Sequence, residues 1–311
     1  MLTQNPMDKV ANEQFWSQIE SGNPVLQKNA ADALTEYTRM RLRERGFLRS
    51  ILPPIQVENS DLTRAIDHDL PIIILDKENN IPAAVSIGFG TAPTAKIIEG
   101  PRYSIAFDRI MSPAFVQDVD KLRTYQMDIR QVTSDNAIKD IQAEEDGKFI
   151  ATINTLLGAA NSTVSETGTV QNKSIAGGIS RASIAEARKI LPSTPSSLEA
   201  ATCLINAVTA KDIEKWGRDE VGGDLSEDIL RDGFTERNMM NMRWIITIKR
   251  RLVPDNTMYM FAEPKFFGKF CTLTDVTMYI ERKAFMLKFF AWESVGAAIA
   301  NLAAVCKANF I

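Results

Sequence analysis

Residues 250–311 read RRLVPDNTMYMFAEPKFFGKFCTLTDVTMYIERKAFMLKFFAWESVGAAIANLAAVCKANFI. Strand-like runs rich in aromatic and β-branched side chains fall at 258–261, 272–280 and 285–292. Turn residues separate them at Pro254-Asp255-Asn256 and Glu263-Pro264, and a small-residue apolar stretch covers 295–306. The segment holds no nucleophile beside a base, no set of metal ligands and no phosphate loop. A chain that places its aromatics in a strand-rich end without such chemistry is built to pack rather than to turn over a substrate.

The 311 residues suffice for one large core or two to three smaller ones. With 45% hydrophobic and 24% charged residues the composition is that of a globular protein. A net charge of −3 excludes a uniformly basic surface that coats nucleic acid. The charge is uneven: residues 211–236 carry four basic and nine acidic side chains, a net of −5, and residues 243–288 carry nine basic and four acidic, a net of +5. Such blocks pair within a subunit, pair between subunits, or stay solvated. Cys203, Cys271 and Cys306 are odd in number and far apart, so neither zinc nor a disulfide framework is expected. They read as small buried residues of a protein made in a reducing cytosol. The N-terminus lacks the basic start and apolar stretch of a signal peptide. The uncharged run after Glu293 is 13 residues, short of the roughly 20 that span a bilayer, so no membrane contact is expected.

Residues 29–47 (NAADALTEYTRMRLRERGF) predict a helix closed at Gly46. Arg39, Arg41, Arg43 and Arg45 lie in its last turns, with Arg49 beyond. They suit the helix dipole, or else form a basic arm that docks on an acidic neighbour or on phosphates. Pro53-Pro54 breaks the pattern. Residues 71–75 read as a strand, 76–80 as a turn and 81–87 as a returning strand, a long hairpin with too little apolar surface to stand alone. Residues 102–110 alternate like another strand. Residues 113–157 are the longest helical candidate, with Ser112 as N-cap, Pro113 at N1, and Phe115, Val119, Leu122, Ile129, Ile138, Ile141, Phe149 and Ile153 at helical spacing. Residues 180–191 predict a helix, 200–208 a buried strand, 211–216 a short helix, and 217–233 an acidic loop. Strands and helices mix without βαβ alternation, which favours an α+β fold.

Candidate chemistry is sparse. His68, between Asp67 and Asp69, is the one histidine, and flanking carboxylates can orient an imidazole for acid–base work. No second histidine or nearby cysteine completes a metal site, and no nucleophile accompanies it. Residues 88–93 (GFGTAP) start like a dinucleotide loop, but proline replaces the third glycine and no helix follows. Glu144-Glu145-Asp146 is a carboxylate cluster on the long helix. Consecutive residues point to different faces, so it reads as a solvated or interface-facing patch rather than an acid–base pair. Met239, Met240 and Met242, before Trp244, read as core filling. No catalytic, cofactor-binding or metal residues are assigned, and no cofactor is expected.

The order of these segments resembles the major capsid proteins of tailed bacteriophages, the Hong Kong 97-type fold. The resemblance rests on segment order rather than on a fixed motif. It casts residues 1–52 as the N-terminal arm, 53–112 as the E-loop-like hairpin and 113–195 as the P-domain with its spine helix. Residues 196–252 become the A-domain, in which 200–216 (AATCLINAVTAKDIEKW) is similar to the family's strand and short helix. Residues 253–311 end the A-domain and return to the P-domain, with a closing strand near 297–307. The resemblance implies a non-enzymatic subunit that assembles as hexamers and pentamers into an icosahedral shell. Such a shell encloses double-stranded DNA, contacted non-specifically. It works with a portal protein, a scaffold carried by a separate protein, and decoration proteins. The subunit would be made in the host bacterial cytoplasm and reside in the virion. No isopeptide cross-linking pair is identified. An encapsulin-like compartment shell of the same fold is the alternative, and an α+β enzyme built on His68 is a further one.

Overall fold

The computed structural model describes residues 14, 17–19, 23–65, 67, 69–77, 86–90, 100–118, 120–121, 129–213, 216 and 238–311, with 36–45 and 129–132 described as backbone only. Two sheets share a core with a long helix, and a third, smaller sheet leans on the first.

The first sheet is built on a hairpin of β12 (Gly268–Lys283) and β13 (Met286–Ile299). Short strands β1 (Pro54–Gln56), β5 (Asp108–Met111) and β6 (Phe115–Asp118) pair along its edges. Pairing is irregular between Thr272 and Thr277, and there the free edge of β12 meets helix α1 (Pro24–Arg45). Thr35 on α1 accepts a hydrogen bond from the Met278 N–H (2.9 Å), so a helix side chain satisfies what a strand would otherwise have paired. Asn23 caps α1 by accepting from the Val25 N–H, and Pro24 opens its first turn. The helix therefore begins five residues before the expected start. Gly46 ends it in an extended conformation (φ −80°), and helix α2 (Phe47–Ile51) follows.

The long helix α3 (Ile129–Leu157) spans 29 residues, roughly 43 Å. Its buried Ile138, Ile141, Phe149, Ile150, Ile153 and Leu157 recur at three- and four-residue spacing. Residues 120–121 are also helical, and 119 and 122–128 lie outside the described residues. Residues 115–118 are strand β6, not helix, because Ser112 is stitched to β13: its N–H donates to the Ala291 carbonyl (2.8 Å) and its hydroxyl accepts from the Ala291 N–H (2.9 Å). The hydroxyl that looked like a helix cap thus serves the sheet.

The second sheet runs β7 (Asn172–Ile175), β14 (Val305–Phe310), β11 (Thr257–Phe261), β8 (Thr202–Asn206), β10 (Met242–Thr247), β9 (Asn238–Met239). Every residue of β8 and β11 is buried. One face (Leu204, Tyr259, Phe261, Val305) shares a core with α3 and the first sheet. The other (Cys203, Trp244, Met258, Met260, Cys306) packs with helices α4 (Arg181–Arg188) and α5 (Ala207–Ile213). Phe149, Phe261 and Phe267 meet at centroid distances of 5.3–6.1 Å and seal the junction of α3 with β11 and the short helix α6 (Pro264–Phe267). Ser180 caps α4 in a reciprocal box with Ser183. Asn206 ends β8 two residues earlier than expected, because its side chain accepts from the Thr209 N–H (2.7 Å) and starts α5 at residue 207. The expected single closing strand near 297–307 is two elements. β13 ends at Ile299, a 3-10 turn (Leu302–Ala304) follows, and β14 joins the second sheet. Buried Gln171 fixes that turn by donating to the carbonyls of Leu302 (2.6 Å) and Val305 (2.8 Å).

The third sheet orders β2 (Thr63–Arg64), β3 (Pro71–Asp76) and β4 (Arg102–Ala106). Strand β3 has two partners that the hairpin reading did not include, with Ile72 opposite Ala106 and Thr63 opposite Ile72. Its base rests on the body through Val57, Ile73, Ile105, Phe107 and Cys271. The expected returning strand at 81–87 lies mostly outside the described residues.

Candidate functional site: a buried ion cluster at the foot of the N-terminal segment

Burial of charge is the least expected feature of the chain. Arg49, on α2, points into the body instead of extending a basic arm. Its Nη2 donates to Glu145 Oε1 on α3 (2.7 Å) and to Glu293 Oε2 on β13 (2.8 Å), and its Nε donates to Glu145 Oε2 (3.1 Å). Both carboxylates are fully buried. The guanidinium also lies over the Phe270 ring, 5.4 Å from its centroid. One residue on, Asp146 accepts from the Leu48 N–H (3.0 Å) and from Lys249 Nζ (2.6 Å). Glu144 alone of the three faces solvent. The expected solvated or interface-facing patch is therefore overturned for Glu145 and Asp146, which are buried against partners of their own chain. Neighbouring helix residues point to different faces, and here two of those faces are covered by α2 and by the loop after β10.

The electrostatics follow from the geometry. Burial alone would lower the Arg49 pKa, but its hydrogen bonds to Glu145 and the charges of Glu145, Glu293 and Asp275 more than offset it, and the guanidinium stays charged. Burial pushes the Asp146 carboxyl up, with Lys249 only partly opposing. Glu293 is pushed up to about 9, first by burial and then by the Glu145 charge, against the pull of Arg49. Its second oxygen, Oε1, has no hydrogen-bond partner. One guanidinium thus faces two buried carboxyls, and burial with the neighbouring Glu145 charge favours the protonated form of Glu293.

The remaining sequence candidates are not brought together. His68 lies outside the described residues, and its neighbour Asp69 pairs with Arg64 on an exposed edge. Gly90 turns with φ 87°, while Phe89 is fully exposed. Residues 217–237, most of the acidic block, and the side chains of Arg39, Arg41, Arg43 and Arg45 lie outside the described residues. Within the basic block Arg250, Lys265 and Lys288 pair with Asp255, Glu263 and Glu281, acids already counted in its net charge, and Lys249 pairs with Asp146 outside it. Met239 and Met242 fill core beside Trp244, as expected. The three cysteines are free and buried, and burial raises the thiols of Cys203 and Cys306. No group of three or more potential metal ligands occurs among the described residues. No helix among them is long and apolar enough to cross a membrane. Sequence reasoning missed Glu293 and Lys249. The available signal was a lone glutamate inside an otherwise apolar strand, Phe290-Ala291-Trp292-Glu293-Ser294-Val295.

No family model matches the sequence, and no curated protein does. Solved structures do. The chain is similar to the capsid of an empty GTA particle (TM-score 0.61, 14% identity, 85% of this chain and 89% of that one). It is also similar to the capsid of cyanophage P-SCSP1u (TM-score 0.58, 10% identity, 86% and 88%). A virus-like particle from Pyrococcus furiosus matches with TM-score 0.50, 12% identity and 89% and 98% coverage. The fold is therefore α+β, of the Hong Kong 97 capsid type that the segment order resembles.

Proposed function

We propose that this chain is the shell-forming major capsid subunit of a tailed bacteriophage. The observation that supports it best is likeness to phage and GTA capsid subunits over 85% or more of both partners. The architecture is consistent with the role. A body of two sheets packed with α3 carries a smaller sheet whose outer strands are largely exposed and which offers Ile74 and Leu70 to a neighbour. In this reading the subunit closes as pentamers and hexamers around double-stranded DNA, which it contacts without reading sequence. A portal, a separate scaffold and decoration proteins act with it, synthesis takes place in the bacterial cytoplasm, and the chain performs no catalysis. The experiment is electron microscopy and sedimentation of the expressed full-length chain, alone and with the proteins of its own head-assembly genes. Closed icosahedral particles are expected. A monodisperse monomer under every condition would overturn the reading, and catalysis abolished by His68→Ala would favour the enzyme.

The near-complete coverage of the Pyrococcus furiosus particle subunit supports a second reading, a compartment shell of the same fold. Nucleic acid inside particles recovered from the natural source supports the phage shell, and protein cargo without DNA supports the compartment.

A further inference from the structure

The Arg49 cluster joins three elements far apart in sequence: α2 at the foot of the N-terminal segment, the middle of α3, and β13. A cavity of about 140 Å³ lies between Leu48 and Leu52 on one side and Phe270 and Val295 on the other. The cluster holds one cation between two buried carboxyls, and one carboxyl oxygen is unpartnered. A buried proton on the carboxyl pair gives the trio no net charge. Without that proton it is a buried anion in which the carboxyls of Glu293 and Glu145 repel each other.

We propose that Arg49, Glu145 and Glu293 form a one-proton latch that fastens residues 47–52, and with them the foot of the N-terminal segment, to α3 and β13. Loss of the proton loosens this attachment. The charged groups around Glu293 are Arg49 from α2, Glu145 and Asp146 from α3, and Asp275 from β12. On the solvent side, Lys148 of α3 pairs with Asp108 of β5 (3.4 Å), and Lys249 is engaged by Asp146 (2.6 Å). Of α1, the described residues buried against the body, Ala30, Leu34 and Thr35, bring no charge.

The sign of the pH dependence is fixed by linkage. A carboxyl whose docked pKa lies above its free value of about 4.3 contributes attachment fully below that free value. The contribution is lost as pH rises, and the loss ends once pH passes the docked value, near 9. Between these limits the undocked fraction grows about tenfold per pH unit. Asp146, also raised by burial, acts in the same direction and must be separated from Glu293.

The test is hydrogen–deuterium exchange of the full-length, unassembled chain, read at the Leu48 and Leu52 amides, which are bonded to Asp146 Oδ1 and the Leu48 carbonyl. After correction for base-catalysed exchange, protection in the wild type should fall about a hundredfold from pH 6 to pH 8 and level off above pH 9. In Glu293→Gln, a neutral group of the same shape, the fall should shrink to less than about twofold. Flat protection in the wild type would overturn the proposal even if the variant did not fold. So would an unchanged fall in Glu293→Gln, or a fall abolished by Asp146→Asn instead.

Discussion

Residues 47–52 and the three-stranded sheet both meet the body at β12 and β13, but the two junctions are made differently. The first is a single short helix held by buried charge and by Leu48, Ile51 and Leu52. The second is a small sheet seated on five apolar side chains, with its ion pairs in water: Arg102 with Asp76, and Arg64 with Asp69. A buried charge cluster is costly to disturb, because removing one member leaves the others desolvated and unpaired. A surface pair contributes little, because water already serves both partners. The first junction therefore fixes a segment to its own subunit. The second leaves strands whose outer faces are available to another surface.

Substitutions at the two junctions should separate these modes. The largest effect is expected from Arg49→Ala, which leaves two buried carboxyls without their cation. Denaturant unfolding should show a loss of about 3–5 kcal/mol. A loss under about 1 kcal/mol would place Arg49 with the surface pairs and dissolve the contrast.

Next is Gly296→Val, at the contact of β13 with the small sheet. A Cβ at 296 would lie 2.6 Å from the Ala106 carbonyl and 2.8 Å from Ile105 Cγ2. Backbone cannot give way as a flexible side chain does. A loss of about 1–3 kcal/mol is expected, with increased hydrogen exchange in 102–107 ahead of the rest of the chain. Uniform loosening of the whole body would show that the small sheet is not a separable unit.

Smaller again is Asp76→Ala, which removes an exposed partner of Arg102. Stability should change by less than about 0.5 kcal/mol. Ile74→Thr, on the exposed face of β3, should likewise leave the unassembled subunit within about 0.5 kcal/mol while lowering particle yield in sedimentation. Unchanged yield would show that this face stays in solvent.

Much of the architecture was legible in residue periodicity. The strands at 258–261 and 272–292, the helix capped by Ser180 and the late turns of α3 follow directly from side-chain spacing and turn chemistry. Two of the misread elements share one cause, a polar side chain with two possible uses. Ser112 caps helices in general but here bonds β13, and Asn206 stands inside a strand-like run yet starts a helix. The candidate cluster was half legible: Glu145 and Asp146 were singled out, but their partners are 96 and 103 residues away, as Arg49 and Lys249.

The sequence by itself determined what depends on neighbours a few residues apart. It set the near-continuous apolar runs that make β8 and β11 buried on both faces, the three- and four-residue spacing of α3, and the order of segments that resembles a capsid subunit. Tertiary structure alone decided which charges leave water. Arg49 beside a basic helix end and Glu145 beside an exposed Glu144 look like surface residues until α2, α3 and β13 converge. Whether a charge is solvated depends on what covers it, and that covering comes from chain more than ninety residues away.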